Sequence, residues 1–212
     1  ILIFALVAIN QMAFSQKLYK ESTSVSVPDR YTSPYMEYTY KYVDGEIVRH
    51  GAVKINDKID FNNVGYCSGY DTFTLSANYT NGLLNGSFTM SHNGNWVFPN
   101  GGVADYDDYV YENHRYTSSL SASFKNGVLD GAIKARSTQE TGEFDYYTDQ
   151  DNTRNAYMNI LVSELTCTYK NGKLVGAFNA KYQDGLQDEL TTVISGTLTS
   201  EGKPDGVWDI HE

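Results

Sequence analysis

The residue types with the most evident chemical potential lie in two Asp- and Tyr-rich segments, Ala104-Asp-Tyr-Asp-Asp-Tyr-Val-Tyr-Glu-Asn-His-Arg-Tyr116 and Glu143-Phe-Asp-Tyr-Tyr-Thr-Asp-Gln-Asp-Asn-Thr-Arg154. Clustered carboxylates suit Ca²⁺, which takes about six to eight oxygen ligands, and exposed rings at Tyr106, Tyr109, Tyr146 and Tyr147 suit the stacking of sugars. Asp149-x-Asp151-Asn152 lacks the Gly and the distal Glu of an EF-hand loop. A solvated acidic loop is therefore the preferred reading of both segments, and no metal site is assigned. His50, His92, His114 and His211 stand singly, without the His-x-x-x-His or Cys-x-x-Cys spacing that zinc requires. No Gly-x-Ser-x-Gly elbow is present. Carboxylates such as Asp107 and Glu112 work as an acid and base pair only when held roughly 5 to 9.5 Å apart across a cleft. Acidic residues this frequent generate such pairs by chance. The chain is accordingly expected to be no enzyme and to carry no cofactor, and its chemistry points to binding of a protein or a polysaccharide.

The acidic balance narrows the partners. With 26 Asp and Glu against 16 Lys and Arg, a net charge of −10, no basic face is available for phosphate recognition, and nucleic acid is excluded. The 18 Tyr, nine Phe, two Trp and 18 Gly, set against only four Pro, favour strands and tight turns over helices. A 41% hydrophobic share is enough to bury a core.

Residues 1–15 resemble the end of a secretory signal peptide. Ile1 to Ala8 form an unbroken apolar run, and Ala13 and Ser15 place small residues two apart, which sets cleavage after Ser15. The run is shorter than the roughly 20 residues of a spanning helix, and the basic segment that normally precedes it is missing, so the signal reads as truncated at its front. A buried strand or core helix is the competing reading. No Cys follows the cleavage site to carry a lipid anchor, and no second apolar stretch would hold the mature chain in a membrane. A periplasmic or extracellular location is expected. Cys67 and Cys167 could then form one disulfide, but their positions in a repetitive chain favour a small core role for Cys167.

The elements that must position these residues follow from a repeat. Tyr79-Thr-Asn-Gly-Leu-Leu-Asn-Gly-Ser-Phe88, Phe124-Lys-Asn-Gly-Val-Leu-Asp-Gly-Ala-Ile133 and Tyr169-Lys-Asn-Gly-Lys-Leu-Val-Gly-Ala-Phe178 share one pattern, with Gly82, Gly127 and Gly172 spaced 45 residues apart. Weaker copies open the series at Tyr42-Val-Asp-Gly45 and close it at Glu201-Gly202-Lys-Pro-Asp-Gly206-Val-Trp208. Asn-Gly between alternating segments signals a type I′ hairpin, because both central residues need positive φ. Folding the first copy about Asn81-Gly82 sets Tyr79 opposite Leu84, Ala77 opposite Gly86, Leu75 opposite Phe88 and Phe73 opposite Met90. Equivalent folding pairs Phe124 with Leu129, Ala122 with Gly131 and Leu120 with Ile133, then Tyr169 with Leu174, Cys167 with Gly176 and Leu165 with Phe178. Tyr38 falls across from Gly51. At the closing copy Leu198 meets Gly206, Gly196 meets Trp208 and Ile194 meets Ile210. Apolar residues take one face and polar residues the other. The second Gly of each copy should leave a low spot that a neighbouring hairpin's ring covers. Two hairpins fit each period, with weaker turn signals at Asn93-Gly94, Asn100-Gly101-Gly102, Thr141-Gly142 and Asp184-Gly185.

These Asn-Gly-x-Leu-x-Gly-x-aromatic segments resemble the MORN-type repeats of bacterial proteins, in particular those of YwqK-like proteins. The resemblance rests on Tyr79 to Phe88, Phe124 to Ile133, Tyr169 to Phe178 and, more weakly, Gly202 to Trp208. It implies an elongated, single-layer antiparallel β-meander of successive hairpins with an aromatic-lined concave side. The chain departs from the pattern at Ile133, which is not aromatic, in intervals twice the usual length, and in the Asp- and Tyr-rich insertions. Antitoxin functions attached to such families sit poorly with an export signal and are not carried over.

The expected organisation is a signal peptide over 1–15, a linker or first strand over 16–35, and one all-β repeat domain over 36–212. Asn155 to Glu164 is the nearest helix candidate, though Ile160-Leu-Val serves equally as strand. A single layer has to cover its apolar face, here Leu75, Phe88, Leu120, Ile133, Leu165 and Phe178. Coverage by the protein's own neighbouring rings is the favoured solution, so Leu120→Asp is expected to unfold the monomer.

Overall fold

The structure is a computed structural model that describes residues 17–24, 34–64, 67–99, 110–145, 158–185 and 190–211. The described residues form no helix; they make one open antiparallel sheet in meander order. Its strands are β1 (Tyr19–Ser24), β2 (Tyr35–Val43), β3 (Glu46–Val64), β4 (Cys67–Thr80), β5 (Leu83–Pro99) and β6 (Val110–Lys125), followed by β7 (Val128–Leu129), β8 (Gly131–Asp145), β9 (Met158–Lys170), β10 (Lys173–Gly185), β11 (Leu190–Leu198) and β12 (Pro204–His211). Each strand pairs with its sequence neighbours, and β7 and β8 are one strand interrupted at Asp130. Met158–Glu164 belongs to β9, so the described part of the helix candidate is strand. The linker region contributes the edge strand β1, which pairs with β2 from Tyr19 opposite Tyr40 to Ser24 opposite Tyr35.

The Asn-Gly signals place the turns correctly. Asp44, Asn81, Asn126 and Asn171 all have φ near +50°, and Gly45, Gly82, Gly127 and Gly172 follow in the same left-handed region. This is the backbone of a type I′ turn, whose twist matches that of the flanking strands. The rungs next to the turns are also as the sequence predicts: Tyr79 faces Leu84, Phe124 faces Leu129 and Tyr169 faces Leu174.

Beyond those rungs the expected register is wrong by two residues. Ala77 faces Phe88 rather than Gly86, Leu75 faces Met90, and Phe73 faces His92. Leu120 likewise faces Ala135 rather than Ile133, Cys167 faces Phe178, and Leu165 faces Ala180. The cause is the second glycine of each copy. Gly86, Gly131 and Gly176 take positive φ, and the strand bulges there. Because the shift is an even number, every side chain keeps its predicted face.

The same bulge in β3 moves Tyr38 opposite Val53, and Gly51 instead faces Tyr79 of the next hairpin. Gly86 faces Phe124 and Gly131 faces Tyr169 in the same way, but no ring covers the low spots: a Cβ added at Gly86 would meet nothing within 4 Å, and one at Gly51 or Gly131 would meet Thr39 or Ser123. At the closing copy Ile194 meets Ile210 as expected, whereas Leu198 meets Pro204. The Trp208 ring lies on Gly196, where a Cβ would strike it.

Two hairpins per period hold, but the strands are far longer than average. Asn93-Gly94 and Thr141-Gly142 lie inside β5 and β8, where both flanks are already paired, and Asp184-Gly185 ends β10. The alternate connections fall at 100–109, 146–157 and 186–189, so Asn100-Gly101-Gly102 lies outside the described residues.

The register aligns an unbroken apolar row across the sheet: Met36, Ile55, Leu75, Met90, Leu120, Ala135, Leu165, Ala180, Ile194 and Ile210 are successive ladder partners. Tyr38, Val53, Ala77, Phe88 and Ala122 form a second row beside it, continued by Ile133, Cys167 and Phe178. Large residues alternate with small ones, which lets side chains lean over their neighbours. Cys167 takes the small position held elsewhere by Ala77 and Ala122; it is a free, buried thiol.

Self-coverage is uneven. Met36, Val53, Ile55, Phe73 and Ala77 are buried beneath Tyr38, Leu75, Tyr79, Leu84, Phe88 and Met90. Leu120 and Leu165 are only half-buried and Ile210 is 63% exposed, so the expected burial of Leu120 is not found.

Candidate functional site

Tyr106, Tyr109, Tyr146 and Tyr147 all lie outside the described residues, as do Asp107, Asp149 and Asp151. The strands that carry them to the sheet are described, and they place the end of the first insertion, His114 to Tyr116, inside β6. Asn-Gly turns occupy one end of the strands and the insertions the other.

At the insertion end, on the apolar face, a polar and aromatic group assembles around Asp71. In the ladder, Phe73 faces His92, Asp71 faces Gly94 and Gly69 faces Trp96, with Ser118, Tyr116 and His114 continuing those rungs on β6. Gly94 has no side chain, so the Tyr116 ring lies over it; a Cβ there would meet the ring. Asp71 reaches diagonally to His92, its carboxylate 2.8 Å from Nε2. His92 meets Tyr116 edge-on with ring centroids 5.0 Å apart, and it meets Phe73 at 5.8 Å. The indole N–H of Trp96 donates to the Tyr116 hydroxyl at 3.4 Å. Asp71 is 5% exposed, which makes it one of the few buried charged groups on this face.

A carboxylate and an imidazole walled by indole and phenol can hold hydroxyl-rich ligands, through hydrogen bonds at the polar pair and stacking on the rings. An acyl-transfer arrangement would need a hydroxyl aligned on the imidazole. Ser118 stands beside His92 but donates to its backbone carbonyl at 3.4 Å.

Sequence reasoning missed Asp71, His92 and Trp96 as a group because its pairing of these two strands stopped at Phe73 and Met90, although period-two alternation by itself puts Asp71, His92, Trp96 and Tyr116 on one face.

A second aromatic group occupies the opposite corner. Tyr19 stacks on Tyr40 at 5.4 Å, and Tyr42 meets both rings edge-on. The Tyr38 hydroxyl donates to Glu21 at 2.8 Å. That hydrogen bond, with smaller contributions from burial and from the Glu21 charge, raises the Tyr38 phenol above its ordinary value. The Arg49 guanidinium lies 5.9 Å from the Tyr38 ring and 5.7 Å from the Tyr79 ring. The rings of Tyr38, Tyr40 and Tyr42 are tilted or perpendicular to one another, so they make a packed cluster and not a flat stacking platform.

The other face is polar. Thr74 and Ser91 share a hydrogen bond across β4 and β5, as Thr117 and Thr138 do across β6 and β8, and Arg115–Glu140 and Arg136–Glu164 bridge adjacent strands. Open depressions lie at the middle of the sheet. One of about 330 Å³ is lined by Met90, Leu120, Ala135 and Leu165, where Ala135 is too small to fill the row. Among the described residues no group of three or more His, Cys, Asp or Glu is placed to hold a metal ion.

Compared with protein families, curated proteins and solved structures, the chain matches none.

Proposed function

We propose that this chain is an exported, non-catalytic repeat protein of the MORN-like kind, acting as a binding or scaffold module at the cell envelope. One observation supports the reading: a single sheet presents a continuous apolar row that is covered at β2–β5, half-buried from Leu120 to Ile194 and exposed at Ile210. A partly open apolar row on a regular platform suits attachment of a partner, since a large side chain fully removed from water contributes about 1.5 to 3 kcal/mol. The test compares capture of envelope components by the wild-type chain with capture by Leu165→Asp and Ile210→Asp. Capture lost from variants that stay folded is the expected result. Equal capture, or hydrolysis of a glycan by the purified chain, would overturn it.

The grouping of Trp96, Tyr116, His92 and Asp71 favours a second reading, recognition of a polysaccharide. Tyr106, Tyr109, Tyr146 and Tyr147 are proposed to add stacking rings from the adjoining insertions. Affinity electrophoresis in acidic and neutral glycans tests it. Retardation that disappears in Tyr116→Ala supports the reading, and no retardation in any glycan counts against it.

A further inference from the structure

Each Asn-Gly turn of the sheet is held by the hairpin before it. The N–H groups of Gly82, Gly127 and Gly172 donate to the carbonyls of Arg49, Leu84 and Leu129, each at 2.8 Å. The N–H of the Asn in the same turn donates to the side chain one residue further on: Asn81 to His50 Nδ1 at 3.3 Å, Asn126 to Asn85 Oδ1 at 3.3 Å, and Asn171 to Asp130 Oδ1 at 3.1 Å. His50, Asn85 and Asp130 each precede a bulge glycine, so three equivalent junctions carry three different acceptors. At the next junction Val175 offers none. The closing turn, whose Gly202 lies against the Leu174 carbonyl, caps itself there: Thr199 Oγ1 accepts from the N–H groups of Glu201 and Lys203.

The three acceptors answer acid differently. A backbone N–H can only donate, so His50 Nδ1 must present its lone pair to Asn81, and the neutral ring carries its proton on Nε2. Imidazolium has two N–H donors and no acceptor. The Asn85 amide has no proton to gain in this range, and its Nδ2 donates to Thr80 Oγ1 at 3.2 Å, which keeps Oδ1 turned toward Asn126. The Asp130 carboxyl retains acceptor capacity whether ionised or protonated. Of the three seats, a single proton abolishes the one at His50 alone.

The backbone beneath the ring is fixed. Thr39 Oγ1 lies 2.7 Å from the His50 carbonyl oxygen and 3.2 Å from that of Ala52, which pins the bulge on both sides of Gly51. The strand register puts Lys41 of β2, opposite Val48, on the same face as His50, with Glu46 and Lys54 further along β3. Arg49 turns to the other face, toward the rings of Tyr38 and Tyr79. β4 and β5 bring Asn78, Thr80, Leu83 and Asn85 to this junction, and none of them titrates.

We propose that His50 is an acid-released latch: protonation of its ring unseats the Asn81-Gly82 turn, while the turns at Asn126 and Asn171 stay seated. The latch is closed while the imidazole is neutral and opens as pH falls through the weakly acidic range in which imidazoles gain a proton. Tyr79 and Leu84, the rung beside this turn, pack on the buried cluster of Met36, Val53, Ile55, Phe73 and Ala77. Acid thus acts at the part of the apolar row that the sheet covers best. The latch is independent of the binding-module reading.

Amide solvent-exchange rates of Asn81, Asn126 and Asn171 in the full-length, ¹⁵N-labelled chain are measured by NMR from about pH 8 to about pH 5. Dividing by the Asn126 rate cancels the intrinsic pH dependence of exchange. The Asn81 ratio should rise roughly fivefold on acidification, the loss of one hydrogen bond, and the Asn171 ratio should stay level. His50→Asn, which installs the acceptor of the second junction, should hold the Asn81 ratio low throughout. His50→Ala, with neither acceptor nor charge, should hold it high throughout. A wild-type ratio that ignores pH, a pH-dependent ratio that survives in His50→Asn, or a neutral-pH ratio unaltered by His50→Ala would overturn the proposal. The first of these comparisons uses the wild-type chain alone, so it decides the matter even where a variant fails to fold.

Discussion

Ile55 and Leu120 occupy one apolar row, and truncating each measures how far the sheet covers its own face. Ile55 is 6% exposed, held between Met36 and Leu75 on its rung and beside the buried Val53 and Phe73. Ile55→Ala removes three carbons from an almost dry site, which at about 0.8 kcal/mol per methylene amounts to about 2.4 kcal/mol. The value should fall near the bottom of the large-to-small range, because a single layer can relax into the gap from its open side. Leu120 is half-buried between Met90 and the small Ala135, over the 330 Å³ depression, so part of its side chain is already in water. Leu120→Ala should therefore cost about 1 kcal/mol. Urea unfolding of the full chain, followed by far-ultraviolet circular dichroism with the slope m held as a check, resolves that difference. The charged variants extend it: Ile55→Asp should unfold the protein, whereas Leu120→Asp should leave it folded and weakened. Equal costs at the two sites, or an unfolded Leu120→Asp monomer, would refute the claim that coverage is concentrated at β2–β5.

Asp130→Ala should lower stability by about 1 kcal/mol and speed exchange of the Asn171 amide, while Val175→Asp should gain nothing because its turn already caps itself through Thr199. Gly69→Ala would drive a Cβ into the Asn95 carbonyl and should unzip the ladder at Ser68 and Gly69, seen as faster amide exchange in β5 from Asn95 onward without global unfolding. Burial pushes the Cys167 thiol above its ordinary value of 9.0, so the unfolded chain ionises first as pH rises. Its contribution to stability should be constant below about pH 9 and decline above it, and alkylation of Cys167 should follow unfolding; rapid labelling of the native protein would show that the site is open.

The turns and the two faces were legible because both are local properties. Asn-Gly pairs demand positive φ wherever they occur, and alternation assigns Leu75, Ala77 and Tyr79 to one side and Thr74, Ser76 and Asn78 to the other whatever they pair with. Cys167 was likewise readable as a small core residue from its place in the repeat. Most of the candidate site was not. Tyr116 stood within an insertion that its composition singled out, yet Asp71, His92 and Trp96 carried no local mark and were joined to it only by pairing across three strands.

What the tertiary structure alone decided is where each strand pairs beyond its turn. A strand glycine is compatible with a flat rung or with a bulge, and at Gly51, Gly86 and Gly131 the bulged segment carries the hydrogen bonds of the next hairpin's turn. That contact joins residues more than 30 positions apart, so no window of sequence contains it. The bulge moves the register by two, which preserves every face and changes the partners beyond it in the three repeat hairpins, so the chain's chemistry by face could be read from the sequence while much of its chemistry by neighbour could not.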